Sequence, residues 1–278
     1  MRGVWSTICS VFDPLNLAAL VMLPAKQIMQ DLWRKKKAWY QPLDGKILQR
    51  WQQWKNNLPT PRCYLSRADH EKATLQLHHF CDASEIGYGT CTYLRIVYSD
   101  GTVECAFITG KSRNAPIKTV SIPRLELQGA LLAARVDFDF ERVVSWTDSM
   151  ITLNYIYSES RRFQTYVANR VTEIRELTVP EQWRHCPGKL NPADDVSRRL
   201  LMKEFQNNER WLNGPSFVWK TEDHWPEIKH DEVAVDKLEI KKEVYLIEVE
   251  TATPLDNLLT RYSRWITLLR SFAWLLKL

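Results

Sequence analysis

Apolar and polar positions change period several times along the chain, and each change marks an element. Residues 3–37 carry two helix-like stretches interrupted near Asp13-Pro14, the second ending in the basic run Arg34-Lys35-Lys36-Lys37. Residues 44–58 place Ile47, Leu48, Trp51, Trp54 and Leu58 at helical spacing on one face, which predicts a third helix. Pro59 and Pro61 end it. A period of two then takes over: Leu75, Leu77, His79 and Cys81 alternate with Gln76, His78, Phe80 and Asp82 over residues 74–82. Residues 88–98 are aromatic and β-branched, Ser99-Asp100-Gly101-Thr102 is a strong turn signal, and 103–109 read as a third strand.

A basic loop follows, leading into a helix that begins close to Pro123 and carries Leu125, Leu127, Leu131, Leu132 and Val136. A short strand at 142–146, a helix at 148–158, a longer amphipathic helix at 161–177, a fifth strand at 181–186 and a closing helix at 191–205 complete the pattern. The order β-β-β-α-β-α-α-β-α predicts an α/β fold: a mixed five-stranded sheet, three strands antiparallel, covered by helices and preceded by a small helical segment. Residues 221–258 have few helix signals and read as an acidic linker or weak strand, and 261–278 as a basic amphipathic helix. The expected division is therefore a helical segment at 1–65, the sheet domain at 72–210, and a linker with a helix at 211–278.

Composition adjusts this picture modestly. The 278 residues are 45% hydrophobic and 26% charged, enough for a substantial core. The net charge of +5 is unevenly spread. Residues 1–72 hold 12 Lys/Arg against 5 Asp/Glu, whereas residues 221–258 hold 4 against 11. A basic front suits phosphates, though a solvated face has the same composition. The six cysteines form no CxxC pair and no zinc-ligand spacing, which points to a reducing compartment. No apolar run reaches the roughly 18 residues a membrane span needs. The N-terminus resembles a signal peptide for ten residues until Asp13-Pro14 interrupts it. An intracellular protein with no membrane partner is expected.

Four acids fall at suggestive points. Asp82 ends the first strand, Glu126 lies in the first turn of the first long helix, Asp148 ends the fourth strand, and Asp194 opens the last helix. Each has an ordinary structural reading: Asp82 could cap a turn, Asp148 an α-helix, and Glu126, Asp194 and Asp195 could complement helix dipoles. Four carboxylates brought together would stay ionised only around cations. Two Mg²⁺ roughly 4 Å apart are the usual solution, and such pairs hydrolyse phosphodiesters.

The stretches FCDASEIGYGT, GKSRNAPIKTVSIPRLELQGALLAARV, WTDSMITLNYI and WRHCPGKLNPADDVSR resemble the ribonuclease H region of BEL/Pao-type retrotransposon polyproteins. RGVWSTICSVFDPLNLAALVMLPAKQIMQDLW resembles the end of the reverse transcriptase in those elements, with Asn16 where they usually carry Gly. WLNGPSFVW and RYSRWITLLRSFAWLL resemble the part between ribonuclease H and integrase.

The resemblance implies a ribonuclease H-like fold. Asp82, Glu126, Asp148 and Asp194 are then the metal-binding acids for two Mg²⁺ or Mn²⁺ ions. Asp195 substitutes for Asp194 if the helix starts one residue later. His185 is implied in proton transfer or product release, against the alternative of a surface loop histidine. The implied substrate is an RNA–DNA hybrid read by shape across its minor groove. Lys111, Arg113, Lys118, Arg161 and Arg162 are candidate phosphate contacts.

The implied partners are the reverse transcriptase and integrase parts of the same polyprotein, in the cytoplasm or in retrotransposon particles. The chain reads as a fragment of that polyprotein, since no Tyr-x-Asp-Asp motif and no zinc-binding segment occurs. The competing expectations are a remnant that binds nucleic acid without turnover, and an aspartic peptidase. The last requires Asp-Ser/Thr-Gly, whereas Asp148-Ser149 is followed by Met150.

Overall fold

The computed structural model of the chain describes residues 1–56, 73–136, 140–159, 162–197, 208–227, 239–241 and 265–275. Met1–Lys241 form one compact unit and Lys242–Leu278 a second.

Three helices precede the sheet: α1 (Arg2–Ser10), α2 (Ala19–Arg34) and α3 (Gly45–Asn56). The break at Asp13-Pro14 is a capping loop, in which the Asp13 carboxylate accepts from the Leu17 and Ala18 amides, both at 2.8 Å. Asn16 in that loop has φ 53°. This left-handed conformation is open to Gly at no steric cost and to few other residues besides Asn, which accounts for Asn standing where the resemblance puts Gly.

Helix α2 is apolar on two stripes. Ala25, Ile28, Met29 and Leu32 pack with Val4, Trp51 and Trp54, while Ala19, Leu20 and Val21 join the core of the sheet. The helical segment expected at 1–65 is thus packed onto the sheet, and the expected boundary near 65–72 falls outside the described residues.

The sheet runs β3-β2-β1-β4-β5. Strands β1 (Thr74–Ala83), β2 (Gly87–Val97) and β3 (Val103–Asn114) are antiparallel neighbours, and β4 (Arg142–Thr147) and β5 (Trp183–His185) continue parallel to β1. One face is covered by α4 (Ile122–Ala134), α5 (Met150–Tyr157) and α6 (Thr165–Leu177), with Cys81, Leu127, Leu131, Leu153, Val167 and Trp183 at its centre. On the other face Phe80, Tyr93 and Trp146 meet α2, the short α7 (Ala193–Ser197) and the segment 208–227, which contains α8 (Glu209–Asn213). Burial of this much aromatic and aliphatic surface on both faces is the main favourable term in the fold.

Three expectations need correction. The third strand does not stop at residue 109: β3 pairs with β2 as far as Asn114↔Gly87, past a bulge between Thr92 and Tyr93, so Lys111 and Arg113 lie on a strand and not in a loop. Backbone pairing extends this edge strand where side-chain alternation gives no signal. Glu126 sits in the second turn of α4, because the helix begins at Ile122 after an N-cap at Ser121. Finally, the start of the stretch assigned to a linker is core: Trp211, Phe217, Val218 and Trp225 are buried on the sheet. Of the closing helix expected at 191–205, residues 198–205 lie outside the described residues. The second unit contains the expected C-terminal amphipathic helix, α9 (Trp265–Leu275). Among the described residues, no helix is long and apolar enough to cross a membrane.

Candidate functional site

The register of two parallel strands assembles the site. Cys81 of β1 stands opposite Thr147 of β4, which stands opposite His185 of β5. Asp82 and Asp148, each one residue further, emerge side by side at the carboxyl ends of the strands, where open α/β sheets form their binding crevice. Asp82 is 6% exposed. Its carboxyl group shares a hydrogen bond with Asp148 and accepts another from Ser197 Oγ.

Glu126 arrives from α4. One helical turn on, Gly129 allows the helix so close to β1 that a Cβ there would stand 3.1 Å from the Asp82 carbonyl oxygen. Ser149 Oγ donates to Glu126 Oε2 at 2.5 Å and accepts from the Thr152 amide at 3.1 Å. Ser149, not Asp148, is therefore the N-cap of α5, and the Asp148 side chain is left to the site.

Asp194 comes from α7. That helix lies so near β2 that a Cβ on Gly89 would stand 2.3 Å from Val196 Cγ1. Asn191 fixes its start: Nδ2 donates to the Cys81 carbonyl at 3.0 Å, and Oδ1 accepts from the Ala193 amide at 3.0 Å. The neighbouring acids then point to different tasks. The charge of Asp194 is felt at Asp148. Asp195 is engaged by Arg210 at 2.5 Å and by Asn208 at 2.8 Å.

Crowding and burial make the acids hard to ionise. Burial, and then the negative charge of Asp148, push Asp82 up to about 7. Burial, and then the charge of Glu126, push Asp148 up to about 6. Glu126 is also raised, by burial first and by Asp82, against the hydrogen bond from Ser149. In the absence of a cation, Asp82 and Asp148 share a proton near neutral pH. His185 is half-buried, and burial lowers its pKa, so its imidazole is neutral at pH 7.

Among the described residues, no three His, Cys, Asp or Glu side chains converge as ligands of one ion. The donor chemistry nonetheless fits a hard divalent cation. The groups are carboxylates, they resist ionisation without a counter-charge, and the buried Asp148 Oδ1 has no hydrogen-bond partner among the described residues.

The candidate phosphate contacts are spread over several elements. Half-buried Lys111 and exposed Arg113 share edge strand β3. The register Ala83↔Tyr88↔Arg113 puts them level with Asp82, two strand spacings or about 10 Å across the sheet. Exposed Lys118 follows in the loop to α4, and exposed Arg162 precedes α6. Arg161 lies outside the described residues.

Sequence reasoning missed Ser149, Ser197, Asn191 and Arg210. An N-cap preference at Ser149 and Asn191 was the only local signal available. Ser197 and Arg210 reach their partners through tertiary packing.

No curated protein matches the chain. Among solved structures, the N-terminal RNase H domain of rv2228c from Mycobacterium tuberculosis, a fusion with maltose binding protein, aligns at 10% identity. That alignment covers 45% of this chain and 94% of the other, with TM-score 0.31. RNase H1 from the halophilic archaeon Halobacterium salinarum NRC-1 aligns at 13% identity over 49% of this chain and 98% of its own, with TM-score 0.30. The family model described as "Pao retrotransposon-like RNaseH-like domain" matches residues 1–160, more than half of the sequence and all of the region from α1 through the carboxylates of β1, α4 and β4. The chain belongs to the Pao retrotransposon-like RNaseH-like domain family.

Proposed function

We propose that the chain is a ribonuclease H that hydrolyses the RNA strand of RNA–DNA hybrids during reverse transcription, as part of a retrotransposon polyprotein. The observation that carries this reading is the pair Asp82 and Asp148 at adjacent strand ends, buried, proton-sharing and raised to about 7 and about 6. Glu126 sits close enough to repel both.

Asp82, Glu126 and Asp148, with Asp194 completing the set, would hold Mg²⁺ or Mn²⁺. Two such ions, when bound, activate water for in-line attack and stabilise the 3′-oxygen leaving group. The protein's own residues do the rest. Asp148 presents its unpartnered Oδ1. Ser149 and Ser197 hydrogen-bond one oxygen each of Glu126 and Asp82, favouring the ionised forms and fixing their rotamers. His185, neutral at the edge beside Asp148, is placed to accept a proton. Lys111, Arg113, Lys118, Arg161 and Arg162 would grip phosphates, leaving hybrid selectivity to 2′-hydroxyl contacts.

The test is a labelled RNA–DNA hybrid incubated with the full chain and Mg²⁺ or Mn²⁺, beside Asp148→Asn. RNA-strand cleavage that chelator abolishes and that falls by at least about 10³-fold in the variant supports the reading. A folded protein that binds Mn²⁺ but leaves the hybrid intact would instead be a binding remnant without turnover.

A further inference from the structure

We propose that Arg210 is a positioning residue of the ribonuclease site, which holds Asp194 in place against Asp148 by clamping α7 to the turn Gly188–Leu190. The inference rests on the ribonuclease reading above and extends it to a segment beyond the catalytic acids in sequence.

Asp195, next to Asp194, is 7% exposed, and a carboxylate buried to that degree demands a charge partner. Arg210 supplies it with both arms of its guanidinium. Nη2 donates to Asp195 Oδ1 at 2.5 Å and Nε to Oδ2 at 3.2 Å, the fork geometry that fixes orientation as well as distance. Asn208 Nδ2 adds a third bond to Oδ2 at 2.8 Å.

The remaining nitrogen reaches the other side of the site. Arg210 Nη1 donates to the Lys189 carbonyl at 2.7 Å. Lys189 belongs to the turn Gly188–Leu190, which lies directly behind Asp148: a Cβ on Gly188 would stand 3.0 Å from Asp148 Oδ2. One guanidinium thus joins the helix that carries Asp194 to the turn that walls Asp148.

The clamp is itself rooted. Trp211, the next residue, is fully buried; its Nε1 donates to the Leu17 carbonyl at 2.9 Å, and its carbonyl accepts from the Tyr93 hydroxyl at 2.8 Å. Without Arg210, the start of α7 keeps its tether at Asn191, but of its three bonds the buried Asp195 carboxylate keeps only that from the neutral Asn208 amide. The helix must then turn to hydrate it, taking Asp194 away from Asp148. Residues that orient ligands from behind typically carry 10–100-fold in metal affinity or activity.

The experiment uses the full chain and Mn²⁺ alone, titrated by calorimetry, with hybrid cleavage kinetics alongside. In Arg210→Ala, Mn²⁺ affinity should fall by about tenfold and kcat by about 10–100-fold, with KM for the hybrid within about twofold of the parent. Arg210→Lys, which keeps the charge but not the fork, should recover only part of the loss. The Arg210→Ala effect on Mn²⁺ affinity should vanish in an Asp194→Asn background, since the two act through one group.

If Arg210→Ala lowers the melting temperature but leaves Mn²⁺ affinity and kcat unchanged well below it, Arg210 only stabilises the fold and the proposal is wrong. Should that variant fail to fold, Asp195→Asn, which keeps an acceptor for Arg210 in the same volume, must show the same changes in smaller measure, and their absence overturns the proposal equally. A parent protein that binds no Mn²⁺ sinks the ribonuclease reading itself, whereas Mn²⁺ binding that ignores Arg210 sinks only the clamp.

Discussion

Strands β1 and β4 bury polar groups at both ends, and the two ends treat them in opposite ways. At the amino ends, Gln76 pairs in register with Arg95 of β2 and with Arg142 of β4. Arg95 is 5% exposed, yet it donates to Gln76 Oε1 at 3.0 Å, the Val218 carbonyl at 2.7 Å and the Lys220 carbonyl at 2.9 Å. His78 is buried, held neutral by burial and by the nearby arginines, and its Nδ1 accepts from Trp146 Nε1 at 3.0 Å, while its Nε2 has no hydrogen-bond partner among the described residues. Its edge meets the ring of Trp225 at 5.1 Å between centroids, and the guanidinium groups of Arg95, Arg142 and Arg184 approach the same indole. At the carboxyl ends, Asp82 and Asp148 hydrogen-bond each other with both pKa values raised, and Asp148 Oδ1 has no hydrogen-bond partner among the described residues. At the amino ends the buried charge is matched by hydrogen bonds, whereas at the carboxyl ends crowded acids face one another with no cationic side chain bonded to Asp82 or Asp148 among the described residues.

Breaking the matched end should have the larger effect on stability. Arg95→Ala removes three hydrogen bonds and a cation over Trp225, and it strands the carbonyl of Val218, whereas that of Lys220 keeps the longer bond from Trp225 Nε1 at 3.3 Å. A loss of about 3 kcal/mol in urea unfolding is expected, with cleavage per folded molecule intact. A loss under about 1 kcal/mol would mean that water replaces the arginine and that this end is not structural in the sense argued.

At the carboxylate end, the same kind of substitution should stabilise. Asp82 and Asp148 have pKa values raised to about 7 and about 6 in the folded protein, above an ordinary value of 3.8. The native state therefore binds protons that the unfolded chain releases, and stability of the metal-free protein falls as pH rises from about 4 through 7. Asp82→Asn removes one of the competing charges beside Asp148 and Glu126. It should raise metal-free stability at pH 8 by about 1–2 kcal/mol and flatten that slope, while abolishing cleavage. Thermal melts across pH, with and without Mg²⁺, measure this; an unchanged slope would show that the acids are already hydrated and uncoupled.

Much of this arrangement is legible in the sequence, for identifiable reasons. Period-two alternation in β1 and the aromatic run of β2 locate the antiparallel core, and the order of elements then fixes which strand ends lie together. Asp82 and Asp148 could be brought to one edge from that order, because each acid stands at the carboxyl end of its strand. What stayed hidden depends on approach between elements distant in sequence. Gly129 and Gly89 permit close helix packing, but a glycine in a helix or a strand has no local marker for the neighbour it admits. The segment 211–227 looks like a linker because its apolar residues Trp211, Phe217, Val218 and Trp225 follow neither a period of two nor one of 3.6. The partner of Asp195 is Arg210, fifteen residues on, a pairing that no spacing rule supplies.

The smallest effect discriminates the two ends most directly, because its pH dependence has the opposite sign. Glu222 accepts from Arg142 Nη2 at 2.6 Å and Arg184 Nη2 at 2.7 Å, on a surface where its side chain is 42% exposed. The hydrogen bonds from Arg142 and then Arg184 lower its pKa from the ordinary 4.5. A lowered carboxylate contributes stability that is present above about 4.5 and is lost as pH falls through the folded value, opposite to the raised pair at the carboxylate edge. Exposure and screening limit the contribution of Glu222 to about 0.5 kcal/mol, so Glu222→Gln should cost that much at pH 7 in low salt and less in 0.5 M salt. The variant should lose the small acid limb below pH 4.5 and keep in full the fall in stability between pH 4 and 7. If Glu222→Gln also flattened that upper slope, the two ends of the strands would be electrostatically coupled, and the sheet could not be divided into a matched scaffold and an unmatched site.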